Sequence, residues 1–145
     1  MKRIFLIHVF SFISVAVFSQ TDVVKWTGNY NTSSSTIEMK AIIDEGWHLY
    51  SQYVDEDAGP VATSFEFIPN KAVSFIGKVE EPEPVKEFDQ NFEAELAYFE
   101  KEVVFKQKAK ANSKTSQEIS VVYMVCNNQM CLPPVEKKIT VSIPN

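Results

Sequence analysis

The chain has 145 residues and carries 14 basic against 19 acidic residues, which gives it a formal charge of −5. This length suits one domain with its own core and leaves little room for two. Because an acidic surface repels a phosphate backbone, the composition argues against nucleic acid as a partner.

The first residues predict an export signal. Two basic residues, Lys2 and Arg3, precede an almost wholly apolar run that ends at Phe18. This run is too short to span a bilayer comfortably, and the small serine that follows it is compatible with cleavage by signal peptidase. We therefore predict a signal peptide over residues 1–19 and an exported, periplasmic domain over residues 20–145, soluble after cleavage. A retained membrane anchor is the alternative.

After this segment, apolar and polar residues alternate, which is typical of strands with one buried face. The alternation covers residues 36–43, 64–68, 103–105, 118–125 and 138–143, with turn-forming clusters between them. About seven short strands in this length predict an all-β fold, a single antiparallel sandwich of immunoglobulin type. The residues expected to face inward are Ile37, Met39, Ala41, Ile43, Phe65, Phe67, Val103, Phe105, Ile119, Val121, Tyr123, Val125, Ile139, Val141 and Ile143.

One segment interrupts this alternation. Residues 79–95 are acidic and contain Pro82 and Pro84, which predicts a long loop rather than an inner strand. The same segment carries Phe88 and Phe92, and long loops in compact domains often act as lids or binding loops. A solvated connector is the alternative.

The two cysteines, Cys126 and Cys131, lie where a β-hairpin is expected to turn. On neighbouring antiparallel strands their Cα atoms would be about 4.5 to 5.5 Å apart, which a disulfide accepts. A loop this short contributes only about 2 kcal/mol in the chain-entropy model. Such a bond is a weak staple and suits a pair that opens and closes while the domain stays folded. From the spacing alone, a redox pair, a structural staple and a metal site all remain open.

Other chemistries have less support in the sequence. Met124, Cys126, Met130 and Cys131 are soft ligands that would suit a Cu(I)-binding module, and a non-catalytic sandwich for binding or adhesion could also carry the disulfide. Common hydrolase and phosphate-loop motifs do not occur. We expect His48, the only histidine outside the predicted signal, to be a satisfied strand residue with no role as a base.

Several motifs resemble one known family. They are Gly46-Trp-His-Leu-Tyr50, Phe88-Asp-Gln-Asn-Phe92, Val122-Tyr-Met-Val-Cys126 and Cys131-Leu-Pro-Pro134. Together they resemble the N-terminal periplasmic domain of the thiol:disulfide interchange protein DsbD, from about Val23 to Ile143. The resemblance implies an immunoglobulin-like sandwich that carries reducing equivalents.

The resemblance also implies roles for the two cysteines. Cys131 corresponds to the cysteine that forms mixed disulfides with partners, and Cys126 to the one that resolves them. The pair is one residue closer in sequence than is usual in the family.

The same resemblance implies a covering loop. Asp89 matches an acidic residue near the pair, Phe92 or Phe88 matches an aromatic cap over the disulfide, and Tyr50 and Trp47 would line the site. Core packing is the alternative for Trp47. A carboxylate beside a thiol disfavours the thiolate. We therefore expect Asp89 to keep the cysteine pair unreactive until a partner displaces the loop.

The implied partners are proteins. Residues 20–145 contain neither membrane helices nor a thioredoxin-like part, so we expect the electron donor to act in trans. It would be a membrane transporter of the DsbD or CcdA type, or a thioredoxin-fold protein. The clients would be oxidised thioredoxin-fold envelope proteins. We expect a monomer without cofactor or metal.

Overall fold

The computed structural model describes residues 22–144, so the predicted signal peptide lies outside the described residues. The described part forms eleven strands and one short 3-10 helix, Glu56–Ala58. None of its helices is long and apolar enough to cross a membrane. The strands are β1 (Val24–Asn31), β2 (Thr36–Ile43), β3 (His48–Tyr50), β4 (Ser64–Phe67), β5 (Val73–Glu80), β6 (Val85–Asp89), β7 (Ala94–Glu100), β8 (Glu102–Ala111), β9 (Thr115–Tyr123), β10 (Val125–Cys126) and β11 (Val135–Ile143).

The strands form three antiparallel sheets, ordered β1-β2-β8-β5, β10-β3-β7-β6 and β11-β9-β4. β1 of the first sheet packs closely on β11 of the third. A Cβ atom at Gly28 would lie 2.5 Å from a methyl carbon of Val141 and 2.6 Å from one of Ile139, so only glycine permits this approach. The predicted all-β antiparallel sandwich is confirmed, with more strands than the seven or so expected.

The main core lies between the sheets and follows the predicted alternation. All four inward residues predicted on β2 are buried, and so are those predicted on β8, β9, β10 and β11. Phe65 and Phe67 on β4 are only half-buried, because β4 is an edge strand.

The predicted long loop over residues 79–95 is wrong in its extent. β5 runs to Glu80, β6 occupies Val85–Asp89, and β7 begins at Ala94. Four of the five β6 residues are exposed because this strand lies at a sheet edge, so no alternation marks it in the sequence. Both prolines fall in the connection before β6, where no ladder hydrogen bond is lost.

The sheet β10-β3-β7-β6, which we call the site sheet, has two buried faces. Leu49, Phe99 and Val125 point into the main core. Their strand neighbours point to the other face. There Tyr50, Val54, Leu96, Tyr98 and Cys126 form a second cluster, covered by partly buried residues of the segment 51–63 and by Phe92.

A break at Met124 brings the cysteines onto this sheet. β9 ends at Tyr123 and pairs with β4 and β11, whereas β10 begins at Val125 and pairs with β3. The expected single strand over residues 118–125 is therefore two strands that belong to different sheets. The change of sheet places Cys126 on the face of the second cluster.

Candidate redox site

Cys126 and Cys131 are joined by a disulfide and are cross-strand partners at a hairpin tip. Their Cα atoms are 4.0 Å apart, somewhat closer than the predicted 4.5 to 5.5 Å. The hairpin predicted from the spacing is present.

The turn between the cysteines is held by its own polar groups. The backbone N–H of Asn127 donates to the carbonyl of Met130 at 2.9 Å. The side-chain oxygen of Asn127 accepts from the backbone N–H groups of Gln129 and Met130, each at 2.9 Å. Leu132 N–H donates to Val125 O at 2.9 Å. None of these hydrogen bonds involves a sulfur atom. They can therefore hold the turn in the same conformation when the disulfide is reduced.

The two sulfur-bearing residues differ in exposure. Cys126 is completely buried in the second cluster, whereas Cys131 is partly exposed at its rim. Pro133 and Pro134, which follow Leu132, are exposed. A partner protein can therefore approach Cys131 from solvent more easily than Cys126.

Of the two candidate aromatic caps, only Phe92 packs against the cluster that contains Cys126. Its ring packs against the second cluster, with its centroid 6.0 Å from that of Tyr50 in an edge-on arrangement. On the other side it abuts Gly59, where a Cβ atom would lie 2.5 Å from the ring. Phe88 is 66% exposed. The structure thus places Phe92 against the second cluster, to which Cys126 belongs, and leaves Phe88 exposed.

Residues 90–93, here called the cap turn, are held by hydrogen bonds to Asp89 and to Asn127. The Asp89 carboxylate accepts from the backbone N–H groups of Asn91 at 2.8 Å and Phe92 at 3.3 Å. The Asn91 amide donates to the carbonyl oxygen of Asn127 at 2.9 Å. This last bond ties the cap turn directly to the redox hairpin, a link that depends on the register of distant strands and has no sequence motif.

A buried polar network lies beneath the cap turn. The Tyr50 hydroxyl donates to Asp89 Oδ2 at 2.6 Å, and His48 Nε2 lies 3.2 Å from both the same oxygen and the Tyr50 hydroxyl. The ring of Tyr98 packs on His48 with centroids 4.5 Å apart. On the ladder, His48 is the direct partner of Cys126.

The network carries one negative charge at neutral pH. Burial raises the pKa of Asp89, but the hydrogen bonds from Tyr50, Asn91 and Phe92 outweigh it and hold this pKa below its ordinary value. Burial lowers the pKa of His48 more than Asp89 raises it, which keeps the imidazole neutral. Burial and the bond to Asp89 raise the pKa of Tyr50 well above its ordinary value, so the phenol stays protonated.

The other residues considered for the site lie in three different environments. Met124 packs at the edge of the second cluster and its sulfur accepts from Val61 N–H at 3.4 Å, whereas Met130 is 52% exposed on the turn. Trp47 packs against the main core. Within residues 22–144, no three or more His, Cys, Asp or Glu side chains group as metal ligands would.

Comparison with known proteins identifies the family. The model of the family described as "Thiol:disulfide interchange protein DsbD, N-terminal" matches residues 16–143. The chain belongs to this family. No curated protein matches the chain significantly.

Solved structures of DsbD N-terminal domains share the fold. The reduced domain from Neisseria meningitidis is 15% identical with a TM-score of 0.58, over 83% of this chain and 86% of that one. The same domain in complex with the PilB N-terminal domain is 10% identical with a TM-score of 0.60, over 88% of each chain. The N-terminal periplasmic domain of ScsB from Proteus mirabilis is 15% identical with a TM-score of 0.56, over 84% of this chain and 47% of that one. The immunoglobulin-like sandwich is therefore confirmed.

Proposed function

We propose that this domain is a thiol–disulfide exchange protein that relays reducing equivalents through Cys126 and Cys131. The observation that carries the proposal is the unequal burial of the pair, with one sulfur-bearing residue enclosed and the other at the rim. Family membership supports it, since the matching family is a thiol:disulfide interchange family. A staple that only holds two segments together has no use for an accessible side.

The exposure difference supports separate roles for the two cysteines. Cys131 forms the mixed disulfide with a partner, because a partner sulfur can approach it. The Cys126 sulfur then attacks Cys131, which releases the partner and re-forms the Cys126–Cys131 disulfide. Leu132 and the two prolines after it form a rigid, apolar edge beside the reactive sulfur, because proline cannot extend the ladder.

Phe92 and Asp89 act together as the cover of the site. Phe92 shields the bond from small thiols, and Asp89 holds the cap turn through its bonds to Asn91 and Phe92. The negative charge of Asp89 disfavours a thiolate in the resting state. Tyr50 supports both, through its ring contact with Phe92 and its bond to Asp89. A partner that moves the cap turn exposes Cys131.

The proposed partners are those that membership of the family suggests. We assign the protein to the periplasm, exported by residues 1–19 and functioning as a monomer. Thioredoxin-fold envelope proteins serve as clients, and a DsbD- or CcdA-type membrane transporter or a thioredoxin-fold protein serves as donor. The solved complex of a DsbD N-terminal domain with a PilB domain supports docking on another protein domain.

A redox titration of the exported protein tests the proposal. The protein is equilibrated with glutathione and thioredoxin-type buffers, and the fraction of disulfide is measured by thiol alkylation and mass spectrometry. A relay pair equilibrates with these buffers, whereas a structural staple has a potential below about −300 mV and stays oxidised. Persistent oxidation across all buffers would overturn the proposal.

A further inference from the structure

The position of His48 suggests a role beyond packing and backbone pairing in its strand. On the ladder it lies directly opposite Cys126. Directly opposed side chains face the same side of a sheet, with Cβ atoms about 4.5 to 5.5 Å apart. Both residues are buried, with 8% of His48 and none of Cys126 exposed. Cys126 therefore has two cross-strand partners, Cys131 in the hairpin and His48 on β3, and of these His48 is the one that can accept a proton.

The hydrogen bonds assign the tautomer of His48. The Tyr50 hydroxyl donates its hydrogen bond to Asp89, and the ionised carboxylate can only accept. Nε2, 3.2 Å from that carboxylate, must then carry the ring hydrogen, since two lone pairs would repel each other. Within residues 22–144, both hydrogen-bonding contacts of the ring involve Nε2. Nδ1 is thus left with a lone pair that can accept a proton.

We propose that His48, oriented by Asp89, is the general base that takes the proton of Cys126 when this sulfur resolves a mixed disulfide. The proposal rests on the relay function proposed above. A fully buried thiol does not ionise readily, because burial disfavours the charged thiolate. A neutral imidazole held by a carboxylate is the arrangement that activates nucleophiles elsewhere in enzymes. Here His48 lies between the two other groups, opposite Cys126 on the ladder and within 3.2 Å of the Asp89 carboxylate.

The step balances as follows. The starting state has a partner sulfur bonded to Cys131 Sγ and a thiol on Cys126. The thiol proton passes to His48 Nδ1, and the electron pair of the thiolate forms a new bond to Cys131 Sγ. The bond from Cys131 to the partner breaks, and the partner leaves as a thiolate that takes up a proton. The protein pair is oxidised and the partner is reduced. Asp89 stabilises the imidazolium formed in between.

The charges around His48 set the pH dependence. Burial lowers its pKa below the ordinary 6.5, while Asp89 and Glu100 act in the opposite direction. The base is therefore available at neutral pH, and resolution should slow as the pH falls below 6.5. The titratable and charged groups that face the ring are Tyr50 on β3, Asp89 on β6, Tyr98 and Glu100 on β7, Cys126 on β10, and Glu87, which accepts from Tyr98 at 2.9 Å.

A reaction that releases a coloured thiol in two successive steps can test this proposal separately from the relay proposal. The reduced, exported protein is mixed with dithiobis-nitrobenzoate in a stopped-flow instrument. Attack by Cys131 releases one coloured thiol, and attack by Cys126 on the resulting mixed disulfide releases the second. In His48→Gln, which retains a donor toward Asp89 but no base, the second release should slow about 100-fold. The first release should be unchanged, and the pH dependence of the second release should follow the ionisation of the Cys126 thiol instead of the titration of His48.

Tyr98→Phe is the matched control, because it alters the other ring packed on His48 without touching the bond to Asp89. It should leave both releases unchanged. If His48→Gln resolves at the wild-type rate with the same pH profile, His48 is not the base and this inference is overturned. If the wild-type protein never gives a second release, the relay proposal itself fails.

A second test uses the wild-type protein, so it does not depend on whether the His48→Gln variant folds. Nitrogen-15 NMR distinguishes the two neutral tautomers, and His8 is the only other histidine in the chain. We expect His48 of the reduced protein to carry its hydrogen on Nε2 at neutral pH. A hydrogen on Nδ1 would leave no acceptor toward Cys126 and would overturn the inference.

Discussion

The two faces of the site sheet differ in chemistry although the same strands build them. The face toward the main core carries Leu49, Phe99 and Val125, which are apolar and need no polar partner. The opposite face buries Tyr50, His48, Asp89 and Cys126, one of the two disulfide-bonded cysteines. Buried polar groups are tolerated only when their hydrogen bonds are satisfied. The apolar face therefore contributes mainly stability, and the polar face holds the groups that can react.

The largest expected effect separates the two cysteines of the polar face. Cys126→Ala leaves the accessible sulfur without its resolving partner, so it should accumulate mixed disulfides with envelope proteins. Cys131→Ala should accumulate few or none. Both variants should remain folded, because the short loop contributes only about 2 kcal/mol. The products are separated on non-reducing gels and identified by mass spectrometry.

Two outcomes would contradict this assignment. Equal trapping by both variants would mean that burial does not decide which sulfur meets a partner. Absence of trapping together with unfolding of both variants would make the bond a structural staple.

The next effect concerns stability and the apolar face. Phe105 is completely buried in the main core, so Phe105→Ala should lower the free energy of unfolding by about 3–5 kcal/mol. Phe88→Ala, which removes an exposed ring of the same size, should change it by no more than about 0.5 kcal/mol. Urea denaturation of the oxidised proteins measures both. Similar losses in the two variants would show that the main core is not the chief source of stability.

A smaller, kinetic effect tests the cover of the polar face. Phe92→Ala should make the reduced pair react several-fold faster with iodoacetamide, because it removes a ring that packs on the cluster containing Cys126. Phe88→Ala should react at the wild-type rate, since that ring points to solvent. Circular dichroism of both variants checks that the sandwich is retained. Unchanged alkylation of Phe92→Ala would mean that the cap turn does not control access to Cys131.

The smallest effect is the pH dependence of stability. The pKa values of His48 and Asp89 are both lowered in the folded protein. Each group therefore stabilises the fold above its ordinary pKa, and this contribution is lost as the pH falls. For His48 the loss should begin near pH 6.5. The free energy of unfolding, measured in urea between neutral and mildly acidic pH, should fall less steeply in His48→Gln than in the wild type. A parallel decline would assign the acid sensitivity to other groups.

Much of the fold is already determined by the amino-acid sequence. Ile37, Met39, Ala41 and Ile43 alternate with polar residues because a half-buried strand has a period of two, and any fold must bury that face. The cysteine hairpin is also a local property, since Asn127 closes the turn with its own side chain. Local patterns of this kind can be recognised without knowing what packs on them.

Only the tertiary structure decided how the site is assembled. β6 is exposed at a sheet edge, so nothing in its sequence distinguishes it from a loop. Phe92 packs against the second cluster and against Gly59, which is far away in the chain, whereas Phe88 is exposed. His48 meets Asp89 across 41 residues and lies opposite Cys126 only because the chain changes sheets at Met124. Pairing between distant strands is set by the global packing of the sheets, and no local periodicity records it.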